Sequence, residues 1–385
     1  MSVANKLWLW FSNSSAKVKT KFLMLQFGWH THLVAWVVSI SNSRLFLNLS
    51  YTGRVATRLL TLFFGQLQRN LLKVEQTGPS TNMELGLIPP QQAGPGTGEV
   101  PPRTIRTYLS TSLPIVFIHR FNPEYLKYAL LQARQSNPES PIYLLGDDSN
   151  DRYDYVIHKP ISNYFQEADK FSKMFQNYNT NTVGFELFNF QRWFILKEFV
   201  LANNISKCLY LDSDTMLYAD VTKDQVRFEN FDFMLTWRKA GNTFFLNRIA
   251  ALSDFCDFVT NIYTKRDQYH FDKMVAHFAA RRKNRLPGGV CDMTAFELYG
   301  EMRFGDIGEV ALIMDGSLYD PSINTPHPGL EMQNGIKKIT WKGSQPYGRH
   351  VKTGKEIKIN SLHCSGAAKS IMGHLFRREE NIRVP

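Results

Sequence analysis

"CLYLDSDTML", residues 208–217, decides how the chain is read. A short apolar run ends in two aspartates one residue apart. Buried, unpaired carboxylates are very costly, so Asp212 and Asp214 do not belong to an apolar core. The run before them reads as a strand, and alternation along it would point both acids to one side. Two hard oxygen donors at a strand end can hold Mg²⁺ or Mn²⁺, leaving other positions to water and phosphate oxygens. A solvated turn with helix-capping acids is the other reading. The opening D-x-D-x-T also suits a phosphatase of the haloacid-dehalogenase type, with Asp212 as nucleophile and Asp214 as general acid. That chemistry needs a later acidic motif, and "FGDIGE" (304–309) is a poor one.

Outward from this run the pattern is strand and helix in alternation. "LPIVFIH" (113–119) is a buried strand by its apolar continuity. Asn122 is the expected cap of the next helix, with Pro123 at its first position and apolar residues at Leu126, Ala129, Leu130 and Ala133. "PIYLLGDD" (141–148) and "YVIHK" (155–159) read as strands, and 185–201 as a helix that ends at Asn203 and Asn204. "FDFMLTW" (231–237), "EVALIM" (309–314), "KKITW" (337–341) and "EIKINSLHC" (356–364) complete one mixed sheet. Strand, helix, strand implies parallel pairing and an α/β fold. Open α/β sheets bind ligands at the carboxyl ends of their strands, where the two aspartates fall.

Near the C-terminus a strand runs into "HCSGAAKS" (363–370). His363 offers a third ligand for Mn²⁺. Gly366 lets a phosphate approach the backbone closely, and Lys369 supplies a point charge for it. A solvated or internally bonded histidine is the plainer reading of His363 alone.

D-x-D after an "LYL" strand, followed some 150 residues later by H-x-x-G-x-x-K, resembles the glycogenin-like, retaining GT-A glycosyltransferases. The resemblance covers roughly residues 113–376. It implies a GT-A, Rossmann-like domain that transfers a hexosyl-type sugar from a nucleotide-sugar donor, a UDP-sugar, to an acceptor hydroxyl with retention. Asp212, Asp214 and His363 would bind Mn²⁺ or Mg²⁺, and Gly366 and Lys369 would contact the donor diphosphate. Arg192 in "FNFQRWFIL" would reach the donor; a surface arginine on an amphipathic helix is the alternative. Asn242 in "AGNTFFLN" (240–247) would approach the sugar. Asp292 in "GGVCDMTAF" (288–296) would act near sugar and acceptor, with a helix cap as the alternative. The chain departs from the family in Ser370-Ile371, where Pro-Trp is usual, and in His119-Arg120 at the end of the first strand. A non-catalytic binding protein is the third class of function.

Composition sets outer bounds. The 385 residues, 43% hydrophobic, can build a large core, and the net charge is +11. Such a charge suits phosphate-bearing ligands or anionic surfaces, and no nucleic-acid-binding signature accompanies it. Cys208, Cys256, Cys291 and Cys364 form no C-x-x-C pair and read as free thiols. The first acidic residue is Glu75, and residues 22–43 carry no formal charge. Residues 1–75 are therefore open to four readings: a signal anchor, a transit segment, a surface-lying amphipathic element or an over-extended start codon. The cell compartment stays open between membrane association and cytoplasm, and so does the acceptor, whether glycan, protein or lipid. Residues 76–112 read as a Pro/Gly-rich linker, and 377–385 as a basic tail.

Overall fold

Seven strands form the main sheet, and the chain reverses its direction of winding at the centre. The structure, a computed structural model, describes residues 112–303 and 305–377. The N-terminal segment, nearly all of the Pro/Gly-rich stretch and residues 378–385 lie outside the described residues, as do the expectations made for them. Among the described residues no helix is long and apolar enough to cross a membrane.

β1 (Ile115–Ile118) is buried on both faces, as a central strand of a parallel sheet must be. It leads through α1 (Glu124–Ser136) to β2 (Ile142–Gly146) and β3 (Ile157–Pro160), all parallel. After α2 (Gln166–Ser172) and α3 (Val183–Ala202) the chain returns to the other side of β1 as β4 (Cys208–Leu211). β5 (Thr215–Leu217) leaves for a second sheet, and α4 (Val221–Gln225) follows. β6 (Phe233–Thr236) and β7 (Ala240–Leu246) form an antiparallel pair, α5 (Ile249–Tyr263), α6 (Gln268–Lys283) and α7 (Asp292–Met302) come next, and β8 (Ile307–Glu309) closes the edge. The strand order is β3-β2-β1-β4-β7-β6-β8. Winding reverses between β1 and β4, so a crevice opens at their carboxyl ends.

Alternation sorts the side chains of β1. Val116 and Ile118 join the core under α3, α5 and α7, while Ile115 and Phe117 join the core under α1 and the second sheet. That sheet adds β9 (Ser317–Tyr319), β12 (Ile339–Lys342), β13 (Gln345–Arg349) and β14 (Glu356–His363) to β5; a two-residue hairpin, β10 (Met332–Gln333) and β11 (Ile336–Lys337), stands apart. β14 pairs antiparallel with β5, which sets His363 opposite Thr215. This one register brings the tail to the aspartates.

The mixed α/β class expected from the sequence is the observed one, with four differences. The strands after residue 330 build a second sheet rather than extending the first. The strand expected at 309–314 ends at Glu309; Val310 and Ala311 are buried, but the chain there turns. Pro123, not Asn122, occupies the N-cap position of α1, which has no side-chain cap, and Asn122 faces the Tyr153 hydroxyl instead. The stretch 240–246 is a fully buried central strand. Its Gly241 is required by packing, since a Cβ there would lie 2.2 Å from the Trp193 ring.

Candidate active site

The aspartates converge by a turn rather than by strand alternation. β4 stops at Leu211 and β5 starts at Thr215, and the Thr215 amide donates to the Asp212 carbonyl (2.9 Å) to close the turn. The Asp212 amide donates to the Asn242 carbonyl (3.0 Å), and the Cys364 amide to the Asp214 carbonyl (2.8 Å). The turn is thus fastened to both sheets. Asp214 is 8% exposed, more buried than the sequence suggested, and it is paired.

His363 Nε2 lies 3.4 Å from Asp214 Oδ1, and Lys369 Nζ 3.2 Å from Asp214 Oδ2. Nδ1 of His363 is 2.7 Å from the Pro321 carbonyl. That contact places a proton on Nδ1 and turns Nε2 toward the acids, the usual arrangement of a metal-ligating histidine. Behind Pro321, Asp320 and Lys337 form a fully buried ion pair at 2.6 Å. Burial opposes a charge on His363, but its hydrogen bond to Asp214 and the charge of that carboxylate prevail and raise its pKa to about 9. Burial would raise Asp214; His363, with help from Lys369, pulls it down to about 2. Burial also opposes the Lys369 ammonium, and Asp214 outweighs it, so its pKa is raised.

Ligand atoms of Asp212, Asp214 and His363 lie within 4.8 Å of one another. Two carboxylates and one imidazole with its Nε2 turned inward suit a divalent cation that accepts mixed oxygen and nitrogen ligands, such as Mn²⁺.

Arg192, from the middle of α3, bridges two acids. Its Nη1 lies 2.5 Å from Asp212 Oδ1 and its Nη2 2.5 Å from Asp292 Oδ2. Burial would lower its pKa; the two carboxylates raise it well above the ordinary value. The Tyr210 hydroxyl also donates to Asp212 Oδ1 (2.8 Å). Asp292, at the first turn of α7, further accepts Trp193 Nε1–H (3.0 Å), and its Oδ1 takes the Met293 amide (3.0 Å). Asn242 is buried; its Oδ1 accepts the Thr236 hydroxyl and its Nδ2 has no partner among the described residues. Gly366 lies exposed at φ +61°, where glycine is favoured, and opens the helical turn Gly366–Ile371 that carries Lys369.

Two cavities flank the Arg192–Asp212 bridge. One, of about 470 Å³, is lined by Asn242, His363, Asp292 and Glu186. The other, of about 430 Å³, reaches from Asp214 and Lys369 to His119 and Arg120 at the end of β1. Gly366 lines neither.

Several residues here escaped the sequence reading. Glu186 is 1% exposed, and its Oε2 has no partner among the described residues. Burial raises its pKa against the pull of Asn181 and Asn189. Ser213, between the aspartates, meets His119 Nδ1 at 2.9 Å; burial, with Lys369, lowers that imidazole to about 4 and keeps it neutral.

No protein-family model and no curated protein matches the sequence. Among solved structures the chain is similar to mouse xyloside xylosyltransferase 1 in its apo form, with 10% identity, 54% of this chain and 88% of that chain covered and a TM-score of 0.37. It is also similar to an active-site mutant of LgtC, with 12% identity, 68% and 95% covered and a TM-score of 0.36. A third is the glycosyltransferase GlyE of Streptococcus pneumoniae, with 16% identity, 52% of this chain and 45% of that chain covered and a TM-score of 0.29.

Proposed function

We propose that this chain is a metal-dependent GT-A glycosyltransferase, which moves a sugar from a UDP-sugar or related nucleotide-sugar donor to an acceptor hydroxyl with retention. One observation carries the reading: Asp214 touches both His363 and Lys369, 149 and 155 residues further along the chain. A metal-ligand triad and a phosphate-sized point charge share one carboxylate, at the switch point of the sheet.

Asp212, Asp214 and His363 would hold the cation, which on binding would neutralise charge on the donor diphosphate. Lys369 is free to leave Asp214 for the leaving phosphate, since its side chain is 38% exposed. The stabilisation it offers grows as the bond to the anomeric carbon breaks. The sugar gains oxocarbenium character as its bond to the diphosphate oxygen breaks, the acceptor oxygen attacks the anomeric carbon, and the hydroxyl proton passes to the departing nucleoside diphosphate. Asp292, held still by Arg192 and Trp193, sets negative charge beside the cavity that would take sugar and acceptor. Asn242 and Glu186 add polar side chains to the lining of that cavity.

The phosphatase reading fits less well. Asp212 Oδ1, its nucleophile, already takes hydrogen bonds from Arg192 and Tyr210. Asp306 of the later acidic motif precedes β8, whose parallel pairing with β6 sets it at the end of the sheet away from the aspartates. The test is a screen of UDP- and GDP-sugars for Mn²⁺-dependent sugar release, beside a phosphatase assay. Release that Asp214→Ala abolishes supports transfer. Phosphate release without sugar-nucleotide turnover contradicts it, and binding without turnover favours a non-catalytic protein.

A further inference from the structure

Asp320 and Lys337 have side chains with no exposure at all, and the proposed chemistry uses neither. Their pairing at 2.6 Å is not an efficient way to stabilise a fold. Two charges taken out of water lose more hydration than their attraction returns unless further bonds help, and apolar residues of similar volume often do as well or better. Burial accordingly raises Asp320 above the ordinary carboxylate range and lowers Lys337 below the ordinary amine range, each against the pull of its partner.

What the pair does is local. Lys337, the last residue of β11, reaches the Asp320 carboxylate and also donates to the Ser322 carbonyl. One ammonium thus grips the chain on both sides of Pro321. The Lys337 amide adds a bond to the Ile323 carbonyl (2.8 Å). The same segment is tied to β14 on either side of Leu362. The Asp320 amide donates to the Ser361 carbonyl (3.1 Å), and the Ile323 amide to the His363 carbonyl (2.9 Å). Proline brings a φ fixed by its own ring. Between these ties the Pro321 carbonyl meets His363 Nδ1 at 2.7 Å.

We infer that Asp320 and Lys337 are positioning residues: their buried pair staples residues 320–323 so that the Pro321 carbonyl holds His363 with a proton on Nδ1 and with Nε2 toward Asp214. The use of the staple in ion binding rests on the metal-dependent reading above; the staple itself does not. An apolar pair would fill the same space without gripping the Ser322 carbonyl, and the imidazole would gain freedom to turn.

The test separates filling space from holding a ring. The full chain and its double variant, Asp320→Leu with Lys337→Met, are compared by three measurements. These are melting temperature, calorimetric Mn²⁺ affinity with UDP present, and the Nδ1–H resonance of His363 in metal-free protein labelled with ¹⁵N-histidine. His363→Gln assigns that resonance. The double variant should melt near the parent's temperature and bind Mn²⁺ roughly tenfold to a hundredfold more weakly. Its Nδ1–H resonance should vanish through exchange with water. A resonance that persists overturns the inference whatever happens to affinity, since the pair is then packing or acts without His363. A lost resonance with unchanged Mn²⁺ affinity overturns the role in ion binding. Should the double variant fail to fold, Asp320→Asn, which keeps the shape and removes the charge, decides by the same two readouts. A parent that binds no Mn²⁺ overturns the metal-dependent reading, and the resonance alone then decides for the staple.

Discussion

Asp212 and Asp214 stand two residues apart, yet they are held by opposite kinds of cation. Asp212 faces Arg192, which stays charged at any working pH and is tied at its other end to the buried Asp292. Asp214 faces His363, which can lose its proton, and Lys369, which can swing into solvent. The first pair is a brace and the second an exchangeable set. The proposed uptake and release of a charged ligand would need both. One carboxylate must keep its place, and the other must have partners that a cation or a diphosphate can displace.

The largest effect that would break this contrast is at Asp214. Asp214→Ala should abolish Mn²⁺-dependent binding of nucleoside diphosphate and leave a folded protein, because His363 can turn neutral and Lys369 can move to water. Calorimetry and a melting curve check both halves. Arg192→Met should act the other way. It strands two carboxylates, one only 3% exposed, and should cost about 3–5 kcal/mol of stability, read from the midpoint of urea unfolding. A melting temperature equal to the parent's would show that the bridge is no brace. Lys369→Ala should slow turnover on the order of 10²–10³, about 3–4 kcal/mol, with stability nearly unchanged.

A smaller effect follows from the proton on His363. Its pKa is raised from 6.5 to about 9 in the folded chain. The stability it contributes is therefore fully present below pH 6.5 and is lost as pH rises through about 9. Asp214, lowered from 3.8 to about 2, contributes stability present above pH 3.8 and lost as pH falls through about 2. Unfolding midpoints of metal-free protein between pH 6.5 and 9.5 should fall steadily, and Asp214→Asn should remove that slope.

Both halves of the exchangeable set were legible in the sequence, because each follows a run with a strand pattern, the apolar CLYL before the aspartates and the alternating EIKINSL before His363. Their adjacency was not written in either. It comes from β5 pairing with β14 across some 145 residues, a contact that no local pattern encodes. The brace was hidden for the same reason: Arg192 and Asp292 are a hundred residues apart and meet only because α7 packs against α3. β7 went unread as a strand because Gly241 and Asn242 dilute its apolar run, although Gly241 is there to admit Trp193. Apolar Val310 and Ala311 mimic strand residues but are buried in a loop.

In the proposed function a divalent cation displaces the proton on His363 at the Asp214 end while Asp212 stays braced. Calorimetric titration of Mn²⁺, with nucleoside diphosphate present, between pH 6.5 and 9.5 tests it most directly. Affinity should rise about tenfold per pH unit up to about 9, with close to one proton released per ion at pH 7.5, and Asp214→Ala should show no such binding. Binding that is indifferent to pH, or that survives Asp214→Ala, would contradict it.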